Sequence, residues 1–159
     1  MKYLSFELGT ETFGVPVELV QEVLEHTRVT RVPRCPDYLL GIINLRGSIV
    51  AVMDLRRRLG IEEREITVTT RFVVLNLTIE EQPTQVAVMA DTVDEVVDIA
   101  GDDIDPAPTA GGDGAASAAN LVGVAKLRDR MVLLLDAECL LTGEVLAETF
   151  GMLDQGGTS

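Results

Sequence analysis

Short apolar runs separated by turn-forming residues are the feature that most constrains the fold of this chain. Gly, Pro, Asp or Asn bounds most of them. Short apolar runs bounded in this way are typical of strands, and many short strands in succession favour small barrels or a sandwich. The runs are IVAVM (49–53), RFVVLNLTI (71–79), VAVMA (86–90), LVGVAKL (121–127) and MVLLLD (131–136).

The N-terminal segment shows a period of two. Apolar residues alternate along 3–8 (YLSFEL), and after the turn GTET the alternation resumes over 13–17. This pattern predicts a β-hairpin. Pro16 suits a helix start, and VELVQEVL (17–24) carries one apolar stripe, so a short helix and an irregular strand both fit there.

Helical patterns are few, and one long segment has no strong pattern. DLRRRLG (54–60) and DAECLLTGEVLAETFG (136–151) predict helices, the second capped by Asp136. Residues 100–120 contain almost no large apolar side chain, which predicts a mobile loop with its flexible part at 106–119. The last residues, 152–159, are predicted to be a disordered tail.

Charge and composition limit the classes of molecule that the protein is expected to bind. Thirteen basic and 26 acidic residues give a net charge of −13, which repels polyphosphate and anionic lipid and disfavours nucleic-acid or membrane-surface binding. We therefore expect the partner to be another protein. No run approaches the roughly 18 apolar residues of a spanning helix and no secretory signal is recognisable, so direct membrane insertion is not expected and the predicted location is cytoplasmic.

The sequence offers no recognisable chemistry. His26 is the only histidine, and the chain lacks a phosphate loop, a zinc-protease motif and a nucleophile elbow. Asp102, Asp103 and Asp105 lie in a segment too loose for metal or acid–base geometry. Arg56, Arg57 and Arg58 are interpreted as a solvated helix face, and Cys35 and Cys139 as reduced thiols. We therefore expect no catalytic residue, cofactor, metal or small-molecule substrate.

An arginine interrupts two apolar runs in GIINLRGSIVAVM (41–53). The flanks predict two strands, so Asn44, Leu45, Arg46 and Gly47 are placed at the connecting turn, where Gly47 permits a positive φ. A guanidinium cannot be buried without a partner, and Glu22 is the candidate. An exposed ion pair adds little stability. Display of Arg46 to a second chain is therefore the sharper hypothesis.

These residues carry a resemblance to the CheW family, the coupling proteins of bacterial chemotaxis. It covers nearly the whole chain, and its Asn-Leu-Arg-Gly core is highly specific. The matching segments are VQEV (20–23), RVPRCPDYLLGIINLRG (31–47) and IVAVMDLRRRLG (49–60), followed by weaker matches at VAVMADTVDEVVDI (86–99), IDPAP (104–108) and LVGVAKLRDRMVLLLDAECLL (121–141).

The resemblance implies a fold and a function. The fold would be mainly β, with two small five-stranded SH3-like barrel subdomains sharing a core and a few short helices, forming one domain over 1–151. Family members are not enzymes; they join the cytoplasmic tips of chemoreceptors to the regulatory domain of the histidine kinase CheA. The protein would therefore act at receptor arrays on the inner face of the membrane.

The resemblance also implies a partner-binding site. In the family, the acid and the arginine that match Glu22 and Arg46 lie at the receptor-binding groove, and the neighbouring motif residues are predicted to share it. Two alternatives remain open: an equivalent adaptor in a pilus-motility or other chemosensory pathway, and a small-ligand-binding β-barrel. The predicted partner-binding residues are Val20, Glu22, Asn44, Leu45, Arg46 and Gly47.

Overall fold

The computed structural model describes residues 1–34, 38–59, 61, 65–79, 81–106, 121–127 and 130–136. Within these residues, eleven strands form two sheets, with one short helix, α1 (Leu55–Leu59), and 3-10 turns at Val17–Leu19 and Gly101–Asp103. The strands are β1 (Lys2–Leu8), β2 (Glu11–Pro16), β3 (Val20–Glu25), β4 (Leu39–Leu45), β5 (Ser48–Met53), β6 (Arg71–Ile79), β7 (Gln82–Ala90), β8 (Thr92–Asp98), β9 (Ile104–Pro106), β10 (Leu121–Leu127) and β11 (Arg130–Leu135).

The five-stranded sheet has the order β3-β6-β7-β5-β4. β6 and β7 form its central hairpin, and β5 pairs with β7 in parallel. An isolated bridge between Thr30 and Ile42 joins the segment after β3 to β4, with N–O distances of 2.9 and 2.8 Å. Because β3 and β4 are the two edge strands, this bridge brings the edges together into a barrel.

The six-stranded sheet has the order β8-β1-β2-β11-β10-β9. β1 pairs antiparallel with both β2 and β8, and β2 pairs in parallel with β11. This sheet therefore uses strands from both ends of the described chain, while the five-stranded sheet uses the segment between them. The two subdomains are intertwined in sequence.

One hydrophobic cluster belongs to both sheets. Phe6 and Phe13 from the six-stranded sheet stack with ring centroids 6.2 Å apart, and they share the cluster with Val73 and Leu75 of β6. The opposite face of β6, with Phe72, packs into a second cluster inside the five-stranded sheet. A third cluster, around buried Ile99, Ala125 and Val132 together with Tyr3 and Leu134, fills the six-stranded sheet.

The predicted fold class is confirmed: the described chain is mainly β, with two small subdomains around a shared core. The strand count differs from the predicted five and five, because Ile104–Pro106 adds β9 to one sheet. Residues 17–24, where helix and strand both fitted, form a 3-10 turn followed by β3. The predicted helix at 54–60 is present as α1.

The predicted mobile loop was wrong over its first residues. Gly101–Asp103 form a 3-10 turn and Ile104–Pro106 pair with β10, because Ile104 packs against the third cluster and supplies the apolar contact that the rest of the segment lacks. Residues 107–119, the helix predicted after Asp136 and the tail at 152–159 lie outside the described residues.

The interpretation of the arginine run as a solvated face was wrong for Arg56. The Arg56 side chain is 5% exposed, and its Nε and Nη2 donate to the two oxygens of buried Asp54 at 3.0 and 3.1 Å. Its Nη1 donates to Asp91 Oδ1 at 2.9 Å. Arg57 is partly exposed, with Nε 3.7 Å from Asp54. Sequence adjacency suggested solvation, whereas one neighbouring carboxylate, Asp54, and one from a distant segment, Asp91, make burial of Arg56 tolerable.

This buried cluster connects the two sheets. Asp91 follows β7, and its second oxygen accepts a hydrogen bond from the Gly9 amide in the β1–β2 turn at 2.7 Å. The Asp91 amide donates to the Glu7 carbonyl at 2.9 Å. Arg56 lies in helix α1, just after β5. It is therefore linked through the Asp91 carboxylate to the β1–β2 hairpin of the six-stranded sheet.

Removing the buried cation is expected to destabilise the fold. Arg56→Met would leave Asp54 and Asp91 with an uncompensated buried charge, at a cost of about 3–5 kcal/mol in the free energy of unfolding. Urea denaturation followed by circular dichroism measures this. Arg57→Met is the matched control and should cost less than about 1 kcal/mol. Equal losses in both variants would contradict the role assigned to Arg56.

Closure of the five-stranded sheet depends on a glycine. Gly41 has a φ of +153°, and a Cβ at this position would lie 2.3 Å from the Thr30 carbonyl oxygen. Gly41→Ala should therefore open the Thr30–Ile42 bridge and lower the free energy of unfolding by about 2–3 kcal/mol. Gly101→Ala, where the Cβ meets open space, is the control and should change it by less than about 0.5 kcal/mol. A neutral Gly41→Ala variant would refute this account of barrel closure.

Candidate partner-binding site

The turn between β4 and β5 contains two residues, Arg46 and Gly47, with φ of 51° and 90°. Positive φ at both central positions is the signature of the type I′ hairpin turn, whose twist matches the flanking strands. The Gly47 amide donates to Asn44 Oδ1 at 2.8 Å. Asn44 and Leu45 end strand β4, so the predicted four-residue turn is shorter than expected.

Glycine is needed at position 47 because the backbone there has a positive φ. The positive φ predicted from the sequence is confirmed, and no atom lies within 4 Å of the position that a Cβ would occupy. The surface beside the turn is therefore open.

Arg46 occupies a backbone region that most residues avoid. Asn, Asp and Gly adopt left-handed φ readily, whereas a long side chain there carries a conformational cost without improving the turn. Strained positions persist where the surroundings hold them, and they concentrate at functional sites. The left-handed arginine at this turn is therefore the observation from which the functional proposal below starts.

The predicted pairing of Arg46 with Glu22 is confirmed. Arg46 Nη1 donates to Glu22 Oε2 at 3.2 Å, and Nη2 donates to Oε1, giving a two-pronged contact between β3 and the β4–β5 turn. The hydrogen bond to Glu22, and then the attraction of its charge, raise the pKa of Arg46. A guanidinium is protonated throughout the physiological pH range with or without this shift.

The guanidinium remains available to another molecule. Its side chain is 67% exposed, while that of Glu22 is 25% exposed. A guanidinium carries five N–H donors, and Glu22 engages two of its nitrogens. A planar cation held at one edge and open to solvent suits a carboxylate or carbonyl acceptor on a partner.

Two glutamines continue the hydrogen-bond network from the Arg46–Glu22 ion pair. Gln21 Nε2 donates to Glu22 Oε1 at 3.4 Å, and Gln85 Nε2 of β7 donates to Gln21 Oε1. Sequence reasoning missed both residues. Gln85 lies 64 positions from Gln21, and an amide in a strand carries no signal of chemistry.

The remaining predicted residues, Val20 and Leu45, pack against the hydrophobic clusters. Val20 is partly buried against the shared cluster and lies opposite Leu75 of β6. Leu45 packs against the cluster inside the five-stranded sheet. The ion pair brings β3 and the β4–β5 hairpin together, so the six predicted residues, Val20, Glu22, Asn44, Leu45, Arg46 and Gly47, lie on two adjoining elements.

Other polar residues show no arrangement suited to metal chemistry in the described ranges. No group of three His, Cys, Asp or Glu side chains there could hold a metal ion. The His26 ring packs against Phe72 with centroids 5.2 Å apart, and Asp105 pairs with Lys126 at 2.9 Å. No helix in the described part of the chain has the length and apolar character needed to cross a bilayer.

Comparison with known proteins identifies the family. The model of the CheW-like domain matches residues 2–145. The chain belongs to the CheW family. The chemotaxis protein CheW of Klebsiella aerogenes is 34% identical over 148 residues, covering 92% of this chain and 84% of that protein. CheW of Helicobacter pylori is 31% identical, covering 89% and 81%.

Two further similarities extend the CheW family assignment. Protein FrzA of Myxococcus xanthus is 38% identical over 124 residues, covering 77% of this chain and 72% of that protein. The crystal structure of the scaffolding protein TtCheW from Thermoanaerobacter tengcongensis has a TM-score of 0.79 and 30% identity, covering 91% of this chain and 89% of that one. Members of the CheW family are adaptor or scaffold proteins, and the two-sheet architecture agrees with that structure.

The cost of placing arginine in the turn can be measured. Arg46→Asn replaces it with a residue that favours type I′ turns, so the melting temperature should equal or exceed that of the wild type although the ion pair is lost. Thermal melts followed by circular dichroism test this, with Arg46→Ala as the control that lacks the turn preference. A melting temperature several degrees below wild type for Arg46→Asn would show that the ion pair serves stability.

Proposed function

We propose that this protein is a non-enzymatic adaptor that couples the cytoplasmic tips of chemoreceptors to the regulatory domain of the histidine kinase CheA. The observation that carries the proposal is the exposed Arg46 guanidinium, held by Glu22 on a left-handed turn. Family membership supplies the class of function. Arg46 would supply the contact with a second protein that an adaptor requires.

Receptor binding at this site would follow from hydrogen bonding and shape. An acceptor on a receptor helix would take the N–H donors of Arg46 that Glu22 leaves accessible, while apolar side chains of the same helix lie on the neighbouring surface. Val20, Asn44, Leu45 and Gly47 would hold the two elements in register. The shared hydrophobic cluster links both sheets, so the adaptor transmits receptor geometry through a packed frame.

The partner set follows from the charge and the family. A net charge of −13 disfavours nucleic acid, and the adaptor needs no cofactor, metal or small-molecule substrate. Its place would be the cytoplasm, at receptor arrays on the inner face of the membrane. CheA would dock on a different face of the molecule, so that receptor and kinase bind together.

A second candidate concerns the pathway. The alternative is an equivalent adaptor in a pilus-motility or other chemosensory pathway, because one relative, at 38% identity, carries the name Protein FrzA and not CheW. Co-sedimentation with receptor fragments from each pathway separates the two. Stabilisation by a metabolite in a thermal-shift screen would instead favour the small-ligand-binding barrel.

Co-sedimentation with a receptor signalling fragment, with and without CheA, tests the proposal. Arg46→Ala and Glu22→Ala should each weaken receptor capture by about tenfold, because an interfacial charged hydrogen bond or its orienting acid is lost. Their melting temperatures should stay near the wild-type value.

Arg28→Ala, which truncates another exposed arginine, is the matched control and should capture the receptor normally. If Arg46→Ala unfolds, the pair is structural. If it folds and captures the fragment as well as Arg28→Ala does, the proposed site is wrong.

A further inference from the structure

The described chain passes between the two sheets at two places, and one of them is a single residue. β7 ends at Ala90 in the five-stranded sheet and β8 begins at Thr92 in the six-stranded sheet, so Asp91 alone joins them. The other passage, from β2 to β3, is the 3-10 turn Val17–Leu19. One residue has only two soft backbone dihedrals. The conformation of Asp91 therefore sets the direction in which β8 leaves β7.

Each of the four polar groups of Asp91 is engaged in a hydrogen bond. Oδ1 accepts from Arg56 Nη1 at 2.9 Å, and Oδ2 accepts from the Gly9 amide at 2.7 Å. The Asp91 amide donates to the Glu7 carbonyl at 2.9 Å, and the Asp91 carbonyl accepts from Thr69 Oγ1 at 2.9 Å. The side chain is only 14% exposed. Helix α1, strand β1, the β1–β2 turn and the segment before β6 thus all hold this crossover residue.

We infer that Asp91 is a positioning residue for signalling, which fixes the angle between the two subdomains so that the state of a bound receptor reaches bound CheA. The inference rests on the proposed function, because an adaptor that passes on geometry needs a defined angle between its docking faces. Hydrophobic packing between the sheets resists their separation, but it is non-directional. Hydrogen bonds are directional, and four of them at one residue oppose rotation of the crossover.

The position is distinct from the Arg46 site. Gln85, the last member of the hydrogen-bond network that begins at Arg46, lies on β7. Asp91 is six residues further along the chain, or about 20 Å at the rise of a strand. A change at Asp91 therefore leaves the proposed receptor contact intact.

A carboxylate is needed at this position because two donors face its two oxygens. Arg56 Nη1 and the Gly9 amide each donate to one oxygen. The side-chain amide of asparagine has one oxygen and one donor group. Asp91→Asn would therefore set a donor against a donor on one side, while Asp54 continues to pair with Arg56. We expect the crossover to loosen while the fold persists.

Pulsed electron paramagnetic resonance measures the angle between the subdomains. Spin labels at Val23→Cys and Val122→Cys replace exposed residues of the two sheets, in a chain whose two native cysteines are changed to serine. Asp91→Asn should broaden the distribution of label–label distances. Asp98→Asn, at a side chain 73% exposed on β8, is the matched control and should keep the parent distribution. A distribution as narrow in Asp91→Asn as in the control would refute the inference.

Receptor-dependent autophosphorylation of CheA, measured with receptor-containing membrane vesicles and normalised to bound CheA, tests the signalling role. Asp91→Asn should bind a receptor signalling fragment like the wild type, whereas activation of CheA should fall at least about fivefold, the lower end of ordinary coupling between sites. Thr69→Val removes only the hydroxyl that donates to the Asp91 carbonyl and should lower activation in the same direction. Asp98→Asn should activate CheA like the wild type. A change that only destabilised the fold would lower binding and activation together.

The outcomes separate the signalling role from the proposed function. If Arg46→Ala loses receptor capture while Asp91→Asn activates CheA like Asp98→Asn, the signalling role is refuted and the proposed function stands. If Arg46→Ala captures the receptor like the wild type, the proposed function falls and the signalling role falls with it. Should Asp91→Asn lack a cooperative thermal melt, Thr69→Val decides, and a wild-type distance distribution and activation in that variant would overturn the inference.

Discussion

Strand β6 is buried on both of its faces, and this constraint organises the molecule. Val73, Leu75 and Leu77 point to one cluster, while Phe72 and Val74 point to another. A strand of this kind needs a layer on each side, because exposure of either face would leave several large apolar side chains in water. The second layer is the hairpin of β1 and β2, and packing against it makes two small sheets into one structure.

The hydrophobic contact between the sheets is accompanied by a directional one. The guanidinium of Arg56 satisfies Asp54 and Asp91, and Asp91 reaches the Gly9 amide of the opposing hairpin. Apolar packing alone tolerates small slippage, whereas a buried ionic contact with fixed hydrogen-bond geometry has few alternatives. Fixing register is the best-attested role of buried polar groups, and our hypothesis for this cluster is that it fixes how one sheet sits on the other.

The Arg46 turn is built on this frame, and we expect it to contribute little to the stability of the fold. The unfavourable backbone conformation at Arg46 lies in the edge hairpin formed by β4 and β5. This hairpin is held in the sheet by the pairing of β5 with β7. The guanidinium is therefore presented at a defined position while remaining exposed. A solvent-facing cation on a packed support fits the adaptor or scaffold role of the CheW family.

Local pattern accounts for much of the fold and part of the site. Apolar runs and turn residues predicted the strands, α1 and the Gly47 conformation. The resemblance of several segments predicted the family, and the need of a guanidinium for an acidic partner predicted the Glu22–Arg46 pair. Contacts between residues far apart in the sequence account for the rest of the fold and the site. The burial of Arg56, the Gln85–Gln21 relay and the pairing of β9 join residues far apart in the chain. Such contacts leave no local periodicity, and the adjacent arginines look alike in the sequence until packing places Asp91 beside Arg56.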